Sequence, residues 1–283
     1  MTELALADQL EAGLDIVTDG QIRWYDAVSH LAGRLGGIRI NGLLRFFDTN
    51  TYFRQPVVHG RIERTRALAV DDFVVATNKS SRPVKAVLTG PVTLARLSIE
   101  QNGSPGGFEK LLEGYTAALA AEVAALAQAG AKLIQIDEPV LLKKPGELEH
   151  ARKSLAAIAA ARGQSELWLA TSFGDAAPIY GQLQELPADT LALDFTYSPT
   201  LGRVIGAEGS SKLLALGLVD GRNTRLEDPM NTALQMEAIT RRLTGAKVYL
   251  TSSCGFEYLP RDRAQLKLKN LTAIKKEFTG NRA

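Results

Sequence analysis

Seven short apolar runs, each ending in polar or turn residues, constrain this chain more than any other feature. They span residues 14–17, 84–88, 132–136, 166–170, 190–194, 213–219 and 246–250. Each is short and apolar on both faces, as parallel strands buried between helices are. Helical patterns separate them. Residues 108–130 are Ala- and Leu-rich and stop at Gly130, and residues 148–162 stop at Gly163; glycine is the usual residue just past a helix end. Residues 226–243 open near Asp228-Pro229, a capping residue followed by proline at the first helical position. Residues 261–278 set apolar positions among lysines, the pattern of a solvated helix face. Strand and helix alternating over 283 residues predict an α/β chain folded as a single (β/α)8 TIM barrel domain over residues 1–283. An open doubly wound sheet is the alternative, weakened by the absence of G-x-G-x-x-G after a first strand.

A closed barrel needs eight strands, and residues 2–12 already read as helix before the first run. On this count the barrel lacks its first strand. Residues 38–47 resemble a hairpin turning at Asn41-Gly42, an excursion from the barrel because hairpin strands are antiparallel. A gap at the amino end would leave unpaired backbone for a second copy or a partner subunit to cover.

Composition excludes several classes. A net charge of +2 does not advertise a nucleic-acid partner. No run approaches the ~18 apolar residues that span a bilayer. The start, Met1-Thr2-Glu3-Leu4, lacks the basic and apolar regions of a secretory signal. The single cysteine, Cys254, forbids an intrachain disulfide and fits the reducing cytoplasm. His30, His59 and His150 are scattered, with no metal-ligand spacing.

In a (β/α)8 barrel the active site lies at the carboxyl ends of the strands. Five of the seven run ends carry a carboxylate, among them Asp19, Asp137 with Glu138, Asp194 and Asp220. Carboxylates converging on a cavity serve amine binding, metal binding or acid–base work. In Ile136-Asp137-Glu138-Pro139 the proline holds Glu138 extended, and the turn is expected to aim both carboxylates into the mouth. Leu88-Thr89-Gly90-Pro91-Val92-Thr93 supplies a tight turn beside it.

Thr18-Asp19-Gly20-Gln21, residues 88–93 and 135–139, Asp220-Gly221-Arg222-Asn223 and Ser253-Cys254-Gly255 resemble, in order, the motifs of cobalamin-independent methionine synthase. The resemblance covers residues 10–270 or so. It implies transfer of a methyl group from a reduced folate or methylcobalamin to homocysteine or a related small-molecule thiol, with zinc holding the thiolate. Asp137, Glu138, Asp194 and Cys254 would then be catalytic, with Cys254 also the metal ligand. Asp19, Gln21, Trp24, Thr89, Ser172, Arg222, Asn223 and Ser253 would bind substrate. Of the family's other zinc ligands, a His-x-Cys pair falls on Ser172 and Gly174, and a glutamate falls on Asp194, a shorter acid. The family's first strand would lie before Met1, and the glutamate that follows its Asp-Gly is Gln21 here. Trp24-Tyr25-Asp26, Thr171-Ser172-Phe173-Gly174 and Gly221-Arg222-Asn223 look more like the family's zinc-free amino-terminal barrel. That half implies an alternative, a barrel that binds folate or a partner without independent activity. A third reading is a barrel enzyme using carboxylates or Cys254 as nucleophile without metal.

Overall fold

The computed structural model describes residues 1–47, 49–101, 106–241, 243 and 247–280. Nine strands form two sheets among them. In chain order these are β1 (Gly36–Arg45), β2 (Tyr52–Glu63), β3 (Lys85–Thr89), β4 (Ile99–Glu100), β5 (Leu133–Asp137), β6 (Glu166–Thr171), β7 (Thr190–Asp194), β8 (Leu213–Val219) and β9 (Val248–Ser252). Strands β3-β5-β6-β7-β8-β9 pair in parallel, in that order, as the barrel wall. The apolar runs and helical stretches therefore alternate as a (β/α)8 barrel requires. A large apolar core lies between wall and helices, and a smaller one inside the wall joins Leu133, Trp168, Ala192 and Ala215.

The first apolar run contributes one parallel bridge, Val17 to Val84, in place of a full strand. The reason lies one residue further on. The side-chain amide of Gln9 donates to the Thr18 carbonyl at 3.0 Å and accepts from the Thr18 N–H at 2.9 Å. A side chain from helix Thr2–Glu11 thus satisfies the backbone groups that a neighbouring strand would otherwise meet. The same helix reaches the last one, Arg261–Gly280, through Arg261 to Asp8 at 3.0 Å and Gln265 to Asp8 at 2.8 Å. The two ends of the chain therefore meet in the helical layer. At the wall, among the described residues, β9 pairs with β8 alone. Every residue of β9 is in consequence half-buried, where the sequence suggested a buried strand. That strand also begins later than expected, and Ala246, counted in the expected strand, lies outside the described residues.

The hairpin is larger than its sequence signal. β1 runs straight through Asn41-Gly42, which mark only a register irregularity between Ile40 and Leu43. The strands are instead closed beyond the end of β1, where the Phe46 N–H donates to the Thr51 carbonyl at 2.9 Å. The buried side chains of Phe53, Val57 and Val58 on β2 demand a long antiparallel partner, and that pairing overrides the turn preference of a dipeptide.

The wall also departs from the expectation of strands apolar on both faces. Its inner side carries Lys85, Gln135, Glu166, Thr190 and Tyr249. Glu166 accepts from Thr190 Oγ1 at 2.6 Å and from the Tyr249 hydroxyl at 3.0 Å. Lys85 Nζ donates to Gln135 Oε1 and lies 4.0 Å from the Trp168 ring centre. Burial lowers the Lys85 ammonium to about 8, opposed by the charges of Asp137 and Glu166.

Candidate active site

The carboxyl ends of β5, β7 and β9 bring Asp137, Asp194 and Cys254 to one mouth. Asp137 accepts from Gln135 Nε2 at 2.7 Å. Burial lifts its carboxyl to about 6, against the pull of Gln135 and Lys85. Asp194 is fully buried and its pKa is raised, burial being the main cause. Its oxygens accept from the Thr196 N–H at 2.8 Å, the Thr196 hydroxyl at 2.5 Å and the Phe173 N–H at 3.3 Å.

Arg222, on the loop after β8, closes over this carboxylate. Its Nη2 donates to Thr196 Oγ1 at 2.6 Å and stands 3.6 Å from Asp194 Oδ2. The guanidinium lies 4.0 Å from the Tyr197 ring centre and 5.3 Å from that of Phe173. Aromatic faces on this scale hold a cation in place by cation–π attraction.

Cys254 sits against the same loop. A Cβ on Gly221 would come within 2.9 Å of the Cys254 sulfur, so only glycine lets loop and thiol approach this closely. Burial pushes the thiol pKa up; Glu257 and Asp194 raise it further, and Arg222 opposes them. Cys254 therefore rests as a thiol, which counts against its use as a metal-free nucleophile.

Glu257 is a residue that the strand-end rule does not reach. It lies past the end of β9, within electrostatic reach of both Cys254 and Asp137. Protein crowds its carboxyl and raises its pKa, yet the residue keeps accessible surface, as a group lining a concave mouth does. Its one sequence signal is that it is a carboxylate three residues beyond the cysteine.

The hairpin tip forms a wall of this mouth. Phe47 stacks on Phe173 at 5.9 Å, Phe46 meets Phe173 edge-on at 5.7 Å, and Tyr258 meets it at 5.9 Å. Such pairs add packing energy beyond the area they bury.

Other expected site residues stand elsewhere. Glu138 does not share the mouth with Asp137. Fully buried, it accepts from the Val92 N–H at 2.9 Å, the Thr93 N–H at 2.8 Å and the Thr93 hydroxyl at 2.6 Å, capping helix Pro91–Leu97. Burial lifts its carboxyl to about 7. Thr89 donates its hydroxyl to the Ala27 carbonyl. Ser253 accepts from the Gly221 N–H at 3.1 Å and so braces the loop under Arg222. Asn223 is exposed and closes a turn with the Arg225 N–H. Asp19, which accepts from Gln21 at 2.7 Å, and Trp24, which stacks on His30 at 5.3 Å, border a separate small cleft shared with Asp72. Ser172 is half-buried at the end of β6.

Fold and mouth together define a (β/α)8 barrel whose polar side chains converge where the strands end. The chain belongs to the cobalamin-independent methionine synthase family, methyltransferases of methionine synthesis: the family described as "Cobalamin-independent synthase, Catalytic domain" matches residues 1–277. A methionine synthase of Methanothermobacter marburgensis is 31% identical, over 98% of this chain and 88% of that protein. One from Sulfurisphaera tokodaii is 28% identical over 94% of this chain and 78% of that one. Among solved structures, a B12-independent methionine synthase from a Shewanella species, in complex with selenomethionine, superposes with a TM-score of 0.84 at 22% identity. It covers 99% of this chain and 87% of that one, and it shows that the fold is the TIM barrel. Among the described residues, no helix is long and apolar enough to cross a membrane.

The family implies zinc, and the residues at this mouth do not fit one. A catalytic zinc takes three protein ligands. Among the described residues, no three His, Cys, Asp or Glu side chains are grouped to hold a metal ion. Cys254 and Asp194 stand where ligands would, but the carboxylate is already taken up by Thr196, Phe173 and Arg222. Gly174 stands where the resemblance places a cysteine. A Cβ there would lie 2.6 Å from the Leu142 Cβ, so the packing admits no side chain.

Proposed function

We propose that the chain is a methyltransferase that moves a methyl group from a reduced folate or methylcobalamin to the sulfur of homocysteine or a related thiol, in the cytoplasm. The observation that carries the reading is the convergence of Asp137, Glu257, Cys254, Asp194 and Arg222 on one barrel mouth of a methionine synthase family member. The selenomethionine held by the Shewanella protein is consistent with an amino acid of this shape.

Asp137 receives the substrate ammonium. With its carboxyl near 6 it is mostly ionised at neutral pH, and its other interactions leave it desolvated enough to favour a cation. Glu257, raised above the ordinary carboxylate range, takes the thiol proton. The sulfur lone pair then attacks the donor methyl carbon. The sulfur–carbon bond would form as the carbon–nitrogen bond of the folate, or the carbon–cobalt bond of the corrinoid, breaks, its electron pair leaving with the donor; a folate nitrogen would then take up the proton that Glu257 received. The aromatic wall of Phe47, Phe173 and Tyr258 offers the donor a flat apolar face and keeps water from the transfer. Trp24 and Tyr25 are less suited to hold the donor, because Trp24 is stacked on His30 and Tyr25 is 81% exposed under Arg54.

Purified protein incubated with homocysteine and either methyltetrahydrofolate or methylcobalamin is expected to form methionine with one of the two. No methionine with either donor removes the reading. The misfit of zinc favours a second reading, a barrel that holds folate or a catalytic partner without turnover. Tight folate binding with no product would select it.

A further inference from the structure

Two donors in the mouth have nothing to donate to. The Nε and Nη1 atoms of Arg222 are buried and have no hydrogen-bond partner. A buried guanidinium N–H without an acceptor is costly, and two on one side chain call for an explanation. The side chain is not free to turn away. Thr196 holds Nη2, and Tyr197 and Phe173 flank the guanidinium plane. Both positions that match metal ligands, Asp194 and Cys254, face this cation.

Two carboxylates stand near enough to compete for the open donors, and neither satisfies them. Asp194 commits its oxygens to backbone N–H groups and a hydroxyl, and its approach is to Nη2. Asp220 Oδ1 lies 3.6 Å from Nε, beyond hydrogen-bonding distance, and already accepts from the Arg222 backbone N–H at 2.9 Å.

We infer that Arg222 occupies the place of the family's metal and binds the carboxylate of an amino-acid substrate, whose ammonium goes to Asp137 and whose thiol lies between Glu257 and Cys254. This rests on the methyl-transfer reading of the mouth. A guanidinium matches an oxyanion far better than it matches a thiolate, because its N–H fork suits carboxylate geometry. The chain then distinguishes a zwitterionic thiol from a simple aminothiol by charge at both ends of the molecule.

The test pairs metal analysis with calorimetry. Protein exposed to zinc and desalted should retain far less than one zinc per chain. Homocysteine should bind about tenfold or more tightly than 3-aminopropanethiol, which lacks the carboxylate. Arg222→Gln should erase that difference, homocysteine losing about tenfold more affinity than 3-aminopropanethiol. Arg222→Lys, which keeps the charge and loses the fork, should leave a smaller difference, and it serves if the glutamine variant does not fold. Near-stoichiometric zinc, no homocysteine binding, or an undiminished difference in both variants overturns the inference. An Arg222-dependent difference without methionine formation would discard the methyl-transfer reading and leave carboxylate capture by Arg222 standing. Methionine formed by a zinc-loaded protein indifferent to Arg222→Gln would do the reverse.

Discussion

The floor and the mouth of the barrel are both polar, and they differ in how completely their charged groups are matched; the floor's open donor is the neutral Trp168 indole N–H. On the floor, Glu166 is met by Thr190 and Tyr249, and Lys85 by Gln135 and the Trp168 face. Glu138, behind the mouth, is met three times over. In the mouth, Arg222 keeps two buried donors open, and Asp137 and Glu257 raise their carboxyl pKa values without a salt-bridged cation of their own at contact distance among the described residues. Buried charge by itself therefore does not mark a site. Nor does an unpartnered atom, since Arg96 Nε and Trp168 Nε1 are open as well; what sets the mouth apart is an open cation beside carboxylates that do not satisfy it.

Substitutions on either side of this difference should behave differently. The largest effect is expected at a matched group. Glu138→Ala strands two backbone N–H groups and a hydroxyl, and chemical denaturation should show a loss of about 3 kcal/mol or more. A change below about 1 kcal/mol would mean that the capping interactions do little for the fold. Asp137→Asn, in the mouth, should lower kcat/KM for methyl transfer about 100-fold while stability stays close to wild type. Glu166→Gln should do the opposite, costing about 1–2 kcal/mol of stability with unchanged activity per folded molecule. If it abolished activity instead, the floor would belong to the site. The smallest expected effect is in pH. Asp137 must be ionised to hold an ammonium, and its carboxyl titrates near 6. Homocysteine affinity should therefore be full above that value and fall about tenfold between pH 7 and 5, with the fall absent in Asp137→Asn.

Much of this molecule is legible in its sequence. Asp137, Asp194 and Cys254 each end an apolar run, and the barrel rule alone gathers them. The helices after residues 107, 147 and 228 carry their own boundary residues. What stays hidden depends on distant partners. Nothing near Glu138 announces that its carboxylate will cap a helix some 45 residues earlier, since Val92 and Thr93 are neighbours only through the pairing of β3 with β5. Gln9 gives no sign of standing in for a strand until helix Thr2–Glu11 is packed beside Thr18. Asn41-Gly42 misleads for the same reason, because local turn preference is weak against the cross-strand demand of a buried β2. Arg222 can be named from its motif, but its open donors are a property of three dimensions.

The most direct test follows a ¹³C-labelled methyl group by NMR, from methyltetrahydrofolate and from methylcobalamin in separate samples, into homocysteine. Wild-type protein and the Glu166→Gln variant should both yield labelled methionine with the same donor, while Asp137→Asn yields far less. Equal yields from wild type and Asp137→Asn, or no labelled methionine from any of the three, would contradict the claim that the mouth carries out methyl transfer.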